Sequence, residues 1–318
     1  VDWVSDKLKP ILEDPGIKKV GQNIKYDFIV LKNEGVRLQG IAFDTMLASY
    51  LLNPSSRAHN MDALALEYLG HTTIKYKDVV GTASKEIGFD QVQIDRATEY
   101  AAEDADITWR LYEKLSGLLK GDDLKIFEKL ELPLLEVLGD MELQGMALDK
   151  PHLQKLSQRI HLLLTEPEKE ISEFAGEQFN INSPKQLSVI LFEKLELPVI
   201  KKTKTGYSTD VSVLEELSAE HELPEVILLY RQLAKLKSTY VDALQEEIFG
   251  KTVRVHTSFN QSVAATGRLS SSNPNLQNIP IRTEMGREIR KSFIAEGNNK
   301  ILSADYSQVE LRVLAHMS

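Results

Sequence analysis

The stretch Lys18-Lys19-Val20-Gly21-Gln22-Asn23-Ile24-Lys25-Tyr26-Asp27-Phe28-Ile29-Val30-Leu31-Lys32-Asn33 decides how the N-terminal region of this 318-residue chain folds. Lys18 to Gln22 reads as a short strand feeding a helix from about Asn23 to Asn33, and Gly35 follows where a helix C-terminus favours glycine. Outward from it, Gly40-Ile41-Ala42-Phe43 reads as a second strand. Met61 to Leu69 reads as a helix stopped by Gly70, and Asp95 to Leu119 as a long amphipathic helix with Gly121 behind it. Strands alternating with helices predict an α/β layer.

From Asp123 the pattern turns helical. Leu124 to Leu143 carries Pro133, and Pro151 to Ala175 carries Pro167, so each is expected to kink or break at its proline. Ser183-Pro184 resembles an N-cap followed by proline at the first helical position. Lys201 to Gly206 reads as a polar loop, and Leu223 to Phe249 as one long helix. Beyond Gly250, Thr252 to Phe259 alternates like a strand, Thr266 to Pro280 is a Ser/Asn/Pro-rich loop, and Lys300 to Ala304 reads as a buried strand entering a helix at Ser307.

Bulk properties narrow the function classes. The chain holds no cysteine, which removes disulfides, thiolate zinc sites and cysteine nucleophiles. No apolar run approaches the length of a membrane span. The first residue is Val1, and no basic segment leads into an apolar one there, so the expectation is a chain that starts inside a gene, with no signal peptide. Net charge is −9, which argues naively against nucleic acid, but its placement matters more than its sum. Nearly all the acidic excess lies before residue 200, while Arg231, Lys235 and Lys237 form a basic run with no acid among them.

Two constellations in the N-terminal region could carry chemistry. On a helix, Asn23, Asp27, Val30, Leu31 and Glu34 share a stripe, which sets the Asp27 carboxylate among apolar neighbours, where it wants a partner or a metal. The plain alternative is a first-turn aspartate favoured by the helix dipole. Farther on, Tyr100 and Asp104 stand four apart on the face that is expected to bury Ala97, Ala101, Ile107, Leu111 and Leu115. A tyrosine hydroxyl there can orient a water beside a metal-binding carboxylate, or it can simply be satisfied by Asp104. Together the two stretches resemble the second and third motifs of proofreading 3′–5′ exonucleases of the tyrosine type, over residues 18 to 115. The resemblance implies a partial RNase H-like domain in which Asp27 and Asp104 bind divalent metal, Tyr100 is catalytic and Asn23 meets the DNA strand. Asp44 and Asp62 fall outside the matched ligand positions and read as structural. That site also needs an Asp-x-Glu pair on a first strand. Asp2, Asp6 and Glu13-Asp14 have the wrong spacing for it, so the metal shell is half supplied.

The string Ser303-Ala304-Asp305-Tyr306-Ser307-Gln308-Val309-Glu310-Leu311-Arg312 allows a capping box between Ser307 and Glu310. It also resembles the first palm motif of family A DNA polymerases. The resemblance implies that Asp305 ligates two magnesium ions, that the Tyr306 carbonyl touches one, and that Glu310 lies by the sugar of the incoming nucleotide. Ala265 to Pro280 is dense in amides and hydroxyls around Arg268, which suits a minor groove whose acceptors are shared by all base pairs. In the family, the matching groups contact the primer terminus (Arg268) and the template side (Asn275, Gln277). Arg231, Lys235 and Ser238 lie along one helical stripe, as phosphate contacts do; it resembles the family's thumb helix, with Ser208 and Thr209 as further backbone contacts.

The expectation is thus an α/β plus mainly α chain: residues 1–121 a partial exonuclease domain, 122–250 a helical thumb, 251–318 the start of a truncated palm. The implied whole is a DNA-directed DNA polymerase with a proofreading region, acting in replication and repair. It would be a monomer in the bacterial cytoplasm, nucleoid-associated and not at a membrane, using Mg2+, primer–template DNA and deoxynucleoside triphosphates. The 318 residues alone are expected to be catalytically incomplete, because the fingers residues and the second palm carboxylates are not among them. Two rivals are a free-standing 3′–5′ exonuclease and a non-catalytic DNA-binding protein.

Overall fold

The computed structural model describes residues 2–82, 86–204 and 206–318, and the side chains from Lys7 onward. Asp2 and Asp6, weighed above as metal ligands, and Thr205 of the polar loop therefore lie outside the described side chains. Two compact units emerge: residues 1–145 with 256–277, and residues 146–255 with 278–318. This division differs from the three domains expected from sequence, chiefly because the segment around Arg268 packs with the N-terminal residues.

In the first unit, α1 (Asp2–Leu12) precedes β1 (Lys19–Gly21), α2 (Ile24–Asn33) and β2 (Ile41–Asp44). The two strands pair in parallel, with α2 as the crossover that parallel strands require. Then come α3 (Thr45–Leu52), α4 (Met61–Leu64) continued by a π-helical turn to Leu69, α5 (Tyr76–Val80), α6 (Ile94–Ser116), α7 (Gly121–Ile126) and α8 (Leu132–Gln144). Between α7 and α8 a π-helical turn over Phe127–Glu131 leads into Pro133 at the start of α8. The chain stays helical from α7 through this turn into α8, so the expected kink takes the form of a change of helix type. Ile24, Phe28, Phe43, Leu47, Ile107, Leu111, Leu115 and Phe127 form the core. Phe43 lies edge-on to Tyr112, centroids 5.0 Å apart. Contrary to expectation, Ala101 is exposed and Ala97 only half-buried: the apolar face of α6 enters the core only from Ile107 onward.

Sequence reading missed α3. Asp44 starts it, accepting hydrogen bonds from Met46 N (2.8 Å) and Leu47 N (3.2 Å). The same fully buried carboxylate accepts from Asn23 N (3.3 Å) and Ile24 N (2.7 Å). Asn23 is thereby held outside α2 in the left-handed region, φ 55°, a conformation asparagine tolerates. It does not share the helical stripe of Asp27.

The second unit opens with β3 (Met146–Leu148) and α9 (Lys150–Ala175). Pro167 does not interrupt α9; it is buried within one continuous helix. Next are α10 (Pro184–Val189), β4 (Lys202–Thr203) and β5 (Gly206–Tyr207), which pair as a hairpin where a loop was expected. Ser183 caps α10 as read, accepting from Gln186 N. The helices α11 (Val211–Leu217), α12 (Leu223–Lys235) and α13 (Ala243–Glu246) follow. A π-helical turn over Leu236–Asp242 separates the last two, and the expected helix to Phe249 ends early because Ile248–Phe249 forms β6.

The expected strand 252–259 is split. β7 (Arg254–Val255) joins the second unit's sheet, in which β10 (Phe293–Ile294), β3, β7 and β6 lie side by side in that order, whereas β8 (Ser258–Asn260) pairs with β9 (Ser270–Ser272) in the first unit. Then come α14 (Glu284–Lys291), β10 (Phe293–Ile294) and α15 (Val309–Met317). Residues 300–304 are neither strand nor buried: Leu302 is 91% exposed. An apolar run becomes a strand only when another strand takes its backbone groups, and none among the described residues does. Ser307 does not cap α15 either; its first turn starts from Gln308 in the left-handed region, with no side-chain cap. Among the described residues no helix is long and apolar enough to cross a membrane.

Candidate functional site

Asp27 projects from the first turn of α2 and Asp104 from α6. Both line one recess of about 540 Å³ in the first unit, together with Val20, Gly21, Gln22, Leu31, Met61, Thr108 and Trp109. Protein around this concavity displaces solvent and raises both carboxyls above the usual range, opposed at Asp104 by the hydrogen bond from Tyr100. Burial and the Asp104 charge push the Tyr100 hydroxyl up to about 12. Tyr100 therefore stays protonated at neutral pH beside Asp104.

Asp104 Oδ1 is buried with no hydrogen-bond partner. A carboxylate oxygen left so costs free energy, and a hard cation in the recess would satisfy it. The neighbouring acids are committed elsewhere. Glu103 accepts from Ile74 N and pairs with His71, both at 2.7 Å, and Asp62 holds Lys75 at 2.6 Å and the Thr73 hydroxyl. Among the described residues no group of three or more His, Asp or Glu converges. The recess therefore fits part of a two-cation shell.

Asn23 lines a different recess, with Gln22 and Met61 common to both. Its walls include Ser55, Ser56, Arg57, His59, Asn60 and Ser262. Sequence reading gave Arg57 and His59 no role. His59 is buried, bonds Ser49 through Nδ1 at 2.9 Å, and leaves Nε2 without a partner. A histidine in a Ser/Asn-rich connection was the available signal, and it is weak.

In the loop after β8, Arg268 is exposed. Asn275 and Gln277 are engaged in building the loop: Asn275 Oδ1 accepts from Ser271 Oγ, and Gln277 accepts from Ser271 N and donates to Leu269 O, each at 3.1 Å. In the second unit Arg231 turns inward to the carbonyl and hydroxyl of Thr209, and burial lowers its pKa. Ser208 and Thr209 are each 6% exposed. They offer almost no surface in this structure, and Thr209 is held by Arg231 of α12. Lys235 and Ser238 are exposed, whereas Lys237 is paired with Asp242 at 2.6 Å. Asp305 and Tyr306 lie on the exposed approach to α15, and Glu310 is exposed in its first turn.

These arrangements meet the comparisons with known proteins. Residues 150–318 match the family model for DNA polymerase family A, and residues 2–120 match that for a 3′-5′ exonuclease. The chain belongs to DNA polymerase family A, preceded by a 3′–5′ exonuclease region. It is 49% identical to DNA polymerase I of Pseudomonas aeruginosa, over 100% of this chain and 35% of that protein. With DNA polymerase I of Rhizobium leguminosarum it shares 51% identity, over 98% of this chain and 31% of the relative. Among solved structures it resembles the POL domain of Pol1 from M. smegmatis in complex with DNA primer-template and dNTP. There the TM-score is 0.82 at 36% identity, over 99% of this chain and 52% of that one. The chain thus spans about a third of the length of the curated relatives it matches. The expected α/β exonuclease region followed by a mainly helical thumb is the fold these matches support.

Proposed function

We propose that this chain is the middle portion of a template-directed DNA polymerase with 3′–5′ proofreading, acting in bacterial DNA replication and repair. Its partners are primer–template DNA and deoxynucleoside triphosphates, and it works as a monomer in the cytoplasm, at the nucleoid. The observation that carries the reading is the recess in which Asp27 and the orphaned oxygen of Asp104 converge, in a chain whose second half belongs to family A. In functional terms residues 1–121 serve excision, 122–250 grip DNA, and 251–318 begin the polymerising palm.

Asp27 and Asp104 would hold divalent metal on the excision side, and Asp305 with the Tyr306 carbonyl would hold it on the synthesis side. When bound, such ions lower the pKa of water and stabilise the charge that develops on phosphoryl oxygens. This chain's own residues orient the reactants. Tyr100, protonated at neutral pH, orients an attacking water beside Asp104. Asn23 lies in the adjoining recess, where the end of a strand can run. Arg268 tests the shape of the terminal base pair through minor-groove acceptors, aided by Asn275 and Gln277. Glu310 stands by the sugar of the incoming nucleotide. Lys235 attracts the phosphates, and Arg231, one helical turn before it and held to Thr209 in the Ser208–Thr209 turn, adds its charge to the same stripe. A free-standing exonuclease would not account for the polymerase match over residues 150–318.

Fluorescence anisotropy of the 318-residue chain with a primer–template checks the DNA reading. Binding is expected to be weak and to fall steeply between 50 and 200 mM salt, as it does for several phosphate contacts, with slope about −0.9 for each contact on a log–log plot. Lys235→Ala should make the slope shallower by about one contact. Affinity that does not change with salt would count against a DNA-gripping thumb.

A further inference from the structure

We infer that Tyr50, in the exonuclease region, is a positioning residue for the Arg268 loop. The inference rests on the reading of Arg268 as a primer-end contact and adds a residue to it. Tyr50 lies on α3, 3% exposed, with its ring edge-on to His59, centroids 5.8 Å apart. Its hydroxyl donates to Ala264 O at 2.6 Å and accepts from Gly267 N at 3.1 Å. Gly267 N also approaches Ala264 O at 3.2 Å. One hydroxyl thus holds both ends of the four-residue turn that immediately precedes Arg268. Gly267 has φ +78°, so the turn's direction, and with it the exit vector of Arg268, is set at the anchored residue.

The same segment is fastened upstream within the same compact unit. Glu142 accepts from Phe259 N at 2.7 Å, and the half-buried Lys25 bridges Glu142 and the Phe259 carbonyl. Gln261 donates to Glu131 O at 3.1 Å. Without such anchors the loop would depend on β8 and β9, three residues each, and an isolated two-stranded ribbon is marginal in water. A side chain that tests a base edge needs its support held to about 0.5 Å. The exonuclease region supplies that support, and Tyr50 sits nearest the working residue.

Tyr50→Phe keeps the ring and removes the hydroxyl. The Gly267–Ala264 hydrogen bond remains, so the turn survives while its anchor is lost. The test uses the 318-residue chain and two fluorescent primer–templates, ending in guanine or in 3-deazaguanine, which lacks the minor-groove N3 acceptor. Arg268→Ala should weaken binding to the guanine terminus and have little effect with 3-deazaguanine. Tyr50→Phe should lose about threefold to tenfold, the range for one hydrogen bond, on guanine only. Its combination with Arg268→Ala should bind no more weakly than Arg268→Ala alone. Gly267→Ala reaches the same turn from the loop side: its Cβ meets open space but its φ is strained. It should reproduce the guanine-restricted loss, and it carries the test should Tyr50→Phe fail to fold. If Arg268→Ala discriminates the two termini but the turn variants bind like wild type, or lose equally on both, the inference about Tyr50 is overturned. If Arg268→Ala itself shows no preference for guanine, the reading of Arg268 falls, and the inference falls with it.

Discussion

In a full-length enzyme carrying this chain, Asp305→Asn is expected to lower nucleotide incorporation by roughly a thousandfold or more, with 3′-end digestion unchanged. Asparagine keeps the size of the side chain and removes its charge. Charge is what a hard cation requires of its ligand, and a cation supplies several kcal/mol of transition-state stabilisation. At 1.36 kcal/mol per tenfold, about 4 kcal/mol is a factor of 10³. Asp305 stands exposed on the approach to α15, and among the described residues no cluster of three or more His, Asp or Glu gathers there to take its place. The loss should fall on kcat, since a carboxylate beside the reacting phosphorus acts in the transition state more than in binding. Single-turnover incorporation, with 3′-end digestion measured in parallel, reads both effects. Retention of more than a tenth of the wild-type rate would remove Asp305 from its proposed role.

The second large effect concerns Asp44 and pH. Burial pushes its carboxyl from 3.8 up to about 6, against four backbone N–H groups that favour the charged form. The folded state therefore keeps this proton up to about pH 6, whereas the unfolded chain releases it near 3.8. Between these values the native state binds more protons, so the contribution of Asp44 to stability is fully present below about pH 4 and is lost as pH rises through 6. The whole swing is roughly 3 kcal/mol for a shift of this size. Asp44→Asn does not titrate. Urea unfolding of the two proteins at intervals from pH 4 to 7 isolates the effect from the other carboxylates. The wild-type advantage over Asp44→Asn should shrink as pH rises; an advantage that stays constant or grows contradicts the account.

How much of this was legible beforehand follows from what each signal requires. The strand–helix–strand run from Lys19 to Asp44 and the long helix α6 were readable because glycines and apolar periodicity mark them locally. Helix α3 was not, because Thr45-Met46-Leu47-Ala48-Ser49-Tyr50-Leu51-Leu52 is apolar on nearly every side and shows no amphipathic period. Its start signal, Asp44, was present and was passed over. Pro167 was expected to interrupt α9, yet tertiary packing retains the helix. Conversely, Lys300 to Ala304 has strand composition but no pairing partner among the described residues, and composition alone does not make a sheet. The recess at Asp27 and Asp104 could be anticipated because each lies on a motif. The anchoring of the Arg268 loop by Tyr50, Lys25 and Glu142 could not, since it joins residues more than a hundred positions apart.

The most direct test incubates the 318-residue polypeptide with end-labelled primer–template, all four deoxynucleoside triphosphates and Mg2+ or Mn2+. Among the described residues, the proposed Asp27 and Asp104 at one centre and Asp305 at the other leave each cation short of oxygen ligands, so the primer should come back at its original length. Extension or shortening that disappears in the Asp305→Asn or Asp27→Ala variant would contradict this account, because it would show that one of these centres turns over with the ligands this chain already has.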